Sequence, residues 1–247
     1  MVDVTVIGSG PGGLEAALQA RQRGLDVALV TATPPGGRAT VGSLLPSKVW
    51  LTEAERFHSA RRYAPSIEAE IGALTGRVND RMKQRSSNIT AVLEKAGVTI
   101  HLGSARVTGP NSLRVAPQEE DSEVVSLESR YIILATGSEP RFFAKVKPDG
   151  DRIIAPRHTR LLQEIPENIT FVGGGVTATE YSSVFAKLGS KVAIVTDIDR
   201  LLPRTDPEIV ASLTEYLTTL GVEILTNSPV ASVEAGERGV TTTTKGG

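Results

Sequence analysis

The chain has 247 residues, 40% of them apolar and 22% charged, with 27 basic against 28 acidic side chains. That length supports one large domain or two medium ones with a real core, and a net charge of −1 leaves no broad positive field to hold nucleic acid. With no cysteine, these residues cannot form a disulfide scaffold, Cys-ligated zinc, an Fe–S cluster or a thiol nucleophile.

The opening "MVDVTVIG" is already strand-like, without the basic and apolar blocks of a secretion signal, and no apolar run approaches bilayer-crossing length. The expectation is a cytoplasmic protein with neither a nucleic-acid nor a membrane partner; zero cysteines fit a reducing compartment.

Along the chain, strand "DVTVI" leads into "GSGPGG", an amphipathic helix, a lone Gly24 and a β-branched strand ending at Thr31. A Gly-Gly turn follows in "PPGGRATVGSLLPSKVW", residues 34–50, and Pro-Ser-Lys opens a helix expected over 45–62. A second helix is expected over 66–96, ending at Gly97, and then strand "VTIHL". "SARVT", "SLRVA", "VVSLES" and "RYIILATG" predict a small β excursion that returns to the main sheet.

Residues 137–152, rich in Gly, Pro and charge, mark a crossing between domains. Strand "NITFV" then opens a second copy of the first pattern, "GGGVTATEYSSVFAKLGSKVAIVT", residues 173–196. A helix near 206–219 and strand "VEILT" follow, and "VASVEAG" and "GVTTTTKGG" read as antiparallel strands joined by a turn at Gly236 to Gly239. The expected class is α/β. Two Rossmann-like domains, 1–145 and 152–247, carry mostly parallel sheets with helices on both faces and small antiparallel excursions.

A βαβ unit written twice points to two dinucleotides. Gly8 permits the tight turn, Gly10 lets backbone approach a pyrophosphate, and Gly13 lets helix pack closely on strand. Gly173, Gly175 and then Ala178 repeat the series, and phosphates are expected at the helix N-termini. Neither second strand ends in the acid that grips a ribose diol: Thr31 and Thr196 stand there instead. A threonine hydroxyl can hydrogen-bond a ribose but brings no charge. Asp197 offers a carboxylate for the diol and Arg200 a partner for a 2′-phosphate; the alternative is that both are loop charges. NADH and NADPH are not distinguished.

The two glycine motifs, "PSK" at 46–48 and "ILATGSEPR" at 133–141 together resemble the pyridine nucleotide–disulfide oxidoreductases, which include dihydrolipoamide dehydrogenase, glutathione reductase and mercuric reductase. The resemblance covers the whole chain. It implies FAD on the first unit and NAD(P)H on the second, with "ATG" marking where the chain leaves the FAD domain. The implied flavin-side residues are Gly8, Gly10, Pro11, Gly13, Thr31, Gly37, Arg38, Lys48, Ala135, Thr136 and Gly137. Those on the nicotinamide side are Gly173, Gly175, Val176, Thr196, Asp197 and Arg200.

In that family a Cys-x4-Cys disulfide lies between the glycine pair and Pro-Ser-Lys, and its positions here are Ala39 and Leu44. Dithiol chemistry is therefore not available at this place. Lys48 matches the family lysine near the flavin, and Glu180 the glutamate that pairs with it. Alternatively, Lys48 is a surface lysine and Glu180 an ordinary first-turn helix acid.

The family resemblance implies an NAD(P)H oxidoreductase, and the short segments "ATGSEPR" and "PDGDRII" look similar to a disulfide-lacking quinone reductase branch. Hydride would pass to flavin and on to a diffusible small-molecule acceptor such as a quinone. Arg38, Ser43, Leu44 and Leu45 suggest a mostly apolar acceptor floor. Full-length family members continue with further flavin contacts and a dimer-interface domain, so the chain is expected to be the front piece of a longer, homodimeric enzyme. The competing expectation is a non-catalytic dinucleotide-binding module.

Overall fold

A computed structural model describes every residue except 118–122, 141, 143–145, 238 and 247. The chain forms two compact units. The first holds residues 1–45 and 80–140, the second 46–79 and 141–247. Residues 46–79, expected with the first domain, group with the second. Trp50 from this stretch is fully buried there, its ring centroid 6.3 Å from that of Phe185. The expected boundary at 145, and part of the crossing over 137–152, lie outside the described residues.

The first unit opens with β1 (Val2–Ile7), α1 (Pro11–Gln22) and β2 (Val27–Thr31). Every residue of β2 is buried, the burial expected of an interior parallel strand. A short α2 (Gly37–Val41) follows, then α3 (Leu44–Arg61) and α4 (Ile71–Lys95), close to the helices expected at 45–62 and 66–96. α4 begins five residues later than expected, after a turn at Pro65 and Ser66.

Next come β3 (Thr99–Leu102), β4 (Ser104–Gly109), β5 (Ser112–Ala116) and β6 (Val125–Leu134). The sheet order is β3-β2-β1-β6-β5-β4. β1 pairs parallel with β2 and β6, while β4 and β5 extend the sheet antiparallel. The two strands expected from "VVSLES" and "RYIILATG" are the single β6. Its first half pairs with β5 and its second with β1, which is why the pattern changes midway. Val4, Val6, Val27 and Leu29 pack with Ala17 and Ala20 of α1 and Ile89 and Leu93 of α4.

In the second unit a 3-10 turn (Pro156–Leu161) precedes β7 (Asn168–Val172), α5 (Val176–Leu188), β8 (Lys191–Val195), α6 (Pro207–Thr219) and β9 (Glu223–Leu225). The three strands are parallel in the order β7-β8-β9. α5 ends at Gly189 in the left-handed region, φ 106°, where a Cβ would be strained. β10 (Val230–Gly236) and β11 (Gly239–Thr244) form the expected antiparallel hairpin. Arg152 donates to the carbonyls of Gly236 and Glu237 at its tip, at 2.7 and 2.9 Å.

The first glycine turn owes its shape to backbone crowding. A Cβ on Gly13 would overlap the carbonyl oxygen of Gly8, whereas one on Gly12 would meet nothing within 4 Å. Gly13→Ala is therefore expected to destabilise the protein by about 1–3 kcal/mol, the cost of overpacking. Gly12→Ala, inside a helix, should be neutral or slightly stabilising. Thermal melts of the two variants check this: equal melting temperatures would show that the crowding has no energetic weight.

Candidate functional site

In the first unit, α1 starts on Gly10, which has no side-chain cap, and a Cβ there would meet no atom within 4 Å. The first amide N–H groups of a helix lack intrahelical partners. Here the chain supplies no side chain to cover them, and Pro11 at the first helical position is exposed.

Three segments surround this start. A Cβ on Gly8 (φ 108°) would overlap the carbonyl of Ala135, so Ala135 and Thr136 lie against the turn. A Cβ on Gly37 (φ 59°) would stand 2.6 Å from Cα of Gly10, which puts the Gly36–Gly37 turn directly over the helix entry. Gly36 N–H donates to the Ser9 carbonyl at 3.0 Å. Arg38 Nη1 donates to the Ser138 carbonyl at 2.7 Å, tying that turn to the loop that follows Gly137. Gly8, Gly10, Gly13, Gly37, Arg38, Ala135, Thr136 and Gly137, distant in sequence, thus converge around one helix terminus.

Thr31 behaves differently from the ribose contact expected of it. It is buried, and its hydroxyl donates to the Thr33 carbonyl at 2.8 Å, so the Ser9 hydroxyl 2.7 Å away is the one that donates to Thr31. The single proton is engaged inside the protein. Thr31 holds the end of β2 against the glycine turn.

The second unit repeats the bare start. Gly173 has φ 104°, and Gly175 caps α5 with no side-chain hydrogen bond. A Cβ at either would meet nothing within 4 Å, and Val176 at the first helical position is 62% exposed. The neighbouring α6 shows the ordinary solution, with Asp206 accepting from the Glu208 N–H at 2.9 Å. A helix start without such a cap suits a diphosphate, which takes several N–H donors and benefits from the helix dipole. Thr196 is buried beside Gly174, and its hydroxyl has no partner among the described residues. Asp197 is exposed, and Arg200 Nη2 donates to the Pro203 carbonyl at 2.7 Å.

Also within the second unit, Lys48 from the first turns of α3 forms an ion pair with Glu180 of α5. Side-chain exposure is 50% for Lys48 and 22% for Glu180. Glu180 is the fifth residue of α5, past the first turn, so a dipole-favoured first-turn acid does not describe it. The next residue, Tyr181, is buried, and burial pushes its phenol above the usual range, keeping it neutral.

One feature of this region escaped the sequence: Glu55 and Lys187 form a second ion pair between α3 and α5. Its partners are 132 positions apart, with no local signal. Among the described residues no His, Cys, Asp and Glu cluster suits a metal ion, and no helix is long and apolar enough to cross a membrane.

The family model described as pyridine nucleotide-disulphide oxidoreductase matches residues 2–247. Dihydrolipoyl dehydrogenase of Chlorobaculum parvum is 33% identical over 96% of this chain and 52% of its own length. Dihydrolipoyl dehydrogenase of Acholeplasma laidlawii is 30% identical over 94% of this chain and 70% of its own length. The crystal structure of LpdA from Mycobacterium tuberculosis superposes with a TM-score of 0.89 at 28% identity, covering all of this chain and 56% of that one. The HOCl-induced flavoprotein disulfide reductase RclA from Escherichia coli shares the fold at a TM-score of 0.83 and 22% identity, over 99% of this chain and 53% of that one. The chain spans about half the length of most of these relatives. By the family match along its length, it belongs to the pyridine nucleotide-disulphide oxidoreductase family.

Proposed function

We propose that this chain is the nucleotide-handling part of an FAD-dependent NAD(P)H oxidoreductase that works without a redox disulfide. The Lys48–Glu180 ion pair is the observation that carries the reading. Bound FAD supplies the two-electron relay between NAD(P)H and a diffusible quinone-like acceptor. The overall balance is that NAD(P)H and one proton reduce the quinone to a hydroquinone, leaving NAD(P)+.

The residues each have a part in this proposal. The uncapped start of α1, ringed by Gly8, Gly37 and Ala135, takes the diphosphate of FAD, and that of α5 takes the diphosphate of NAD(P)H. Arg38 braces the turn over the flavin-side terminus through Ser138. Lys48 supplies a fixed ammonium where negative charge grows as hydride is delivered, a pre-organised electrostatic contribution. Glu180 holds that ammonium in place. Ala39 and Leu44, lacking thiols, leave the flavin as the sole redox carrier at this position.

A second reading, a non-catalytic nucleotide-binding module, draws support from Thr31 and Thr196. Neither gives a ribose a charged anchor, and the Thr31 proton is already engaged. Colour separates the two. The purified chain, mixed with FAD and freed of excess, is expected to be yellow and to bleach when NADH or NADPH is added anaerobically. Yellow protein that neither nucleotide bleaches supports the module, and protein that cannot be reconstituted with FAD defeats the flavoenzyme reading.

Lys48→Met tests the ammonium. It should slow bleaching by about tenfold or more, as loss of a donor to developing charge does in other enzymes. An unchanged bleaching rate would remove the role assigned to Lys48.

A further inference from the structure

Two ion pairs join α3 to α5, and their arrangement is informative. On α3 the charges are Lys48 and Glu55; on α5 they are Glu180 and Lys187. Both pairs span the same separation of 132 residues. Seven residues are two helical turns less about 20°, so each helix carries its two charges along one flank. Because Lys48 meets Glu180 and Glu55 meets Lys187, the helices run in the same direction over this stretch. The polarity is reversed from one pair to the next. Sliding either helix by two turns would bring Lys48 against Lys187 or Glu55 against Glu180, like charges in both cases. One register satisfies all four.

Adhesion between the helices comes from elsewhere. Trp50 packs on Phe185 with ring centroids 6.3 Å apart, and Phe185 also meets Tyr181 and Phe171. Such buried contact is strong and limits how far the helices can slide, but it leaves the polar flank of the contact to be matched by charge. The Lys48–Glu180 pair cannot set the position alone, since half-exposed pairs on long side chains are weak.

The second pair buries its ammonium instead and leaves its carboxylate half exposed. Lys187 is 7% exposed; its Nζ lies 2.6 Å from Glu55 Oε2 and 5.4 Å from the centre of the Tyr216 ring on α6. Burial pulls the Lys187 ammonium down, but the Glu55 and Tyr216 contacts outweigh it and hold the group above its ordinary range. The Lys187 hydrogen bond holds the Glu55 carboxyl below its own.

We infer that Glu55 and Lys187 are positioning residues. They fix the register of α3 on α5 and thereby hold Lys48 against Glu180. This deepens the proposed role of Lys48 and rests on it only for its catalytic consequence; the geometric claim stands apart. Glu55 also lines a cavity of about 380 Å³ together with His58 and Arg62. With Lys187 removed, Glu55 loses its partner on α5.

The test reads Lys48 directly. An acetylating amine reagent is applied briefly to the folded chain, and modification of each lysine is followed by peptide mass spectrometry. Lys187→Met and Glu55→Gln should each raise the labelling rate of Lys48 by about 2- to 5-fold, the scale of a lost exposed pair. Lys187→Arg, which keeps the charge, should leave it at the wild-type rate. The exposed Lys83 and Lys191 should label equally in every variant, which distinguishes lost register from general loosening.

If Lys187→Met does not fold, Glu55→Gln alone decides the matter, because the Glu55 side chain is 54% exposed and its loss leaves no cavity. Unchanged Lys48 labelling in that variant, or a rise shared by Lys83 and Lys191, overturns the inference. Anaerobic flavin reduction is read in parallel. If Lys48 labelling responds but Lys48→Met reduces flavin normally, the positioning stands and the catalytic reading falls. If Lys48→Met is slow while labelling is unmoved, the reverse holds.

Discussion

Lys48 meets Glu180 only because two helices far apart in the chain, α3 and α5, lie side by side within one compact unit. Buried aromatic contact holds them together, with Trp50 and Phe185 at its centre. The charges decide how they are aligned. An ammonium on a flexible four-carbon stem is a poor fixed charge unless its carboxylate partner and the helix beneath it are both held. The functional reading therefore depends on how firmly α3 is seated on α5.

The helix starts contribute a different kind of constraint. Both α1 and α5 begin on glycine with no side-chain cap, while α6 has its aspartate. An uncapped start is locally unfavourable, since its N–H groups lack partners within the protein. Its recurrence at the two matching places of an internal repeat is consistent with both being completed by an anionic group from outside the chain. Gly8 and Gly13 serve the fold, crowded as they are by backbone, whereas Gly10, Gly173 and Gly175 leave space.

Much of this was legible in the sequence because it is local. Glycine spacing, strand alternation and helix periodicity gave the repeat, the two glycine turns and the β10–β11 hairpin. What could not be read depends on distant partners. The 46–79 stretch belongs with the second unit through contacts such as Trp50–Phe185, and no local pattern announces which core a tryptophan enters. The Thr31 hydroxyl looked available until Ser9 and Thr33 were seen to engage it. Glu55 and Lys187 are 132 positions apart, and nothing local to either marks the other as its partner. The merging of two expected strands into β6 has the same origin, since its halves face different neighbours.

Absence of thiols at Ala39 and Leu44 gives the account its sharpest consequence, which concerns electron capacity. A flavin takes up two electrons, and an adjoining disulfide would take two more. Anaerobic titration of the FAD-loaded chain with a calibrated reductant measures this directly. Full reduction is expected at two electrons per flavin, with no thiolate-to-flavin charge-transfer band. Uptake of four electrons per flavin would contradict it.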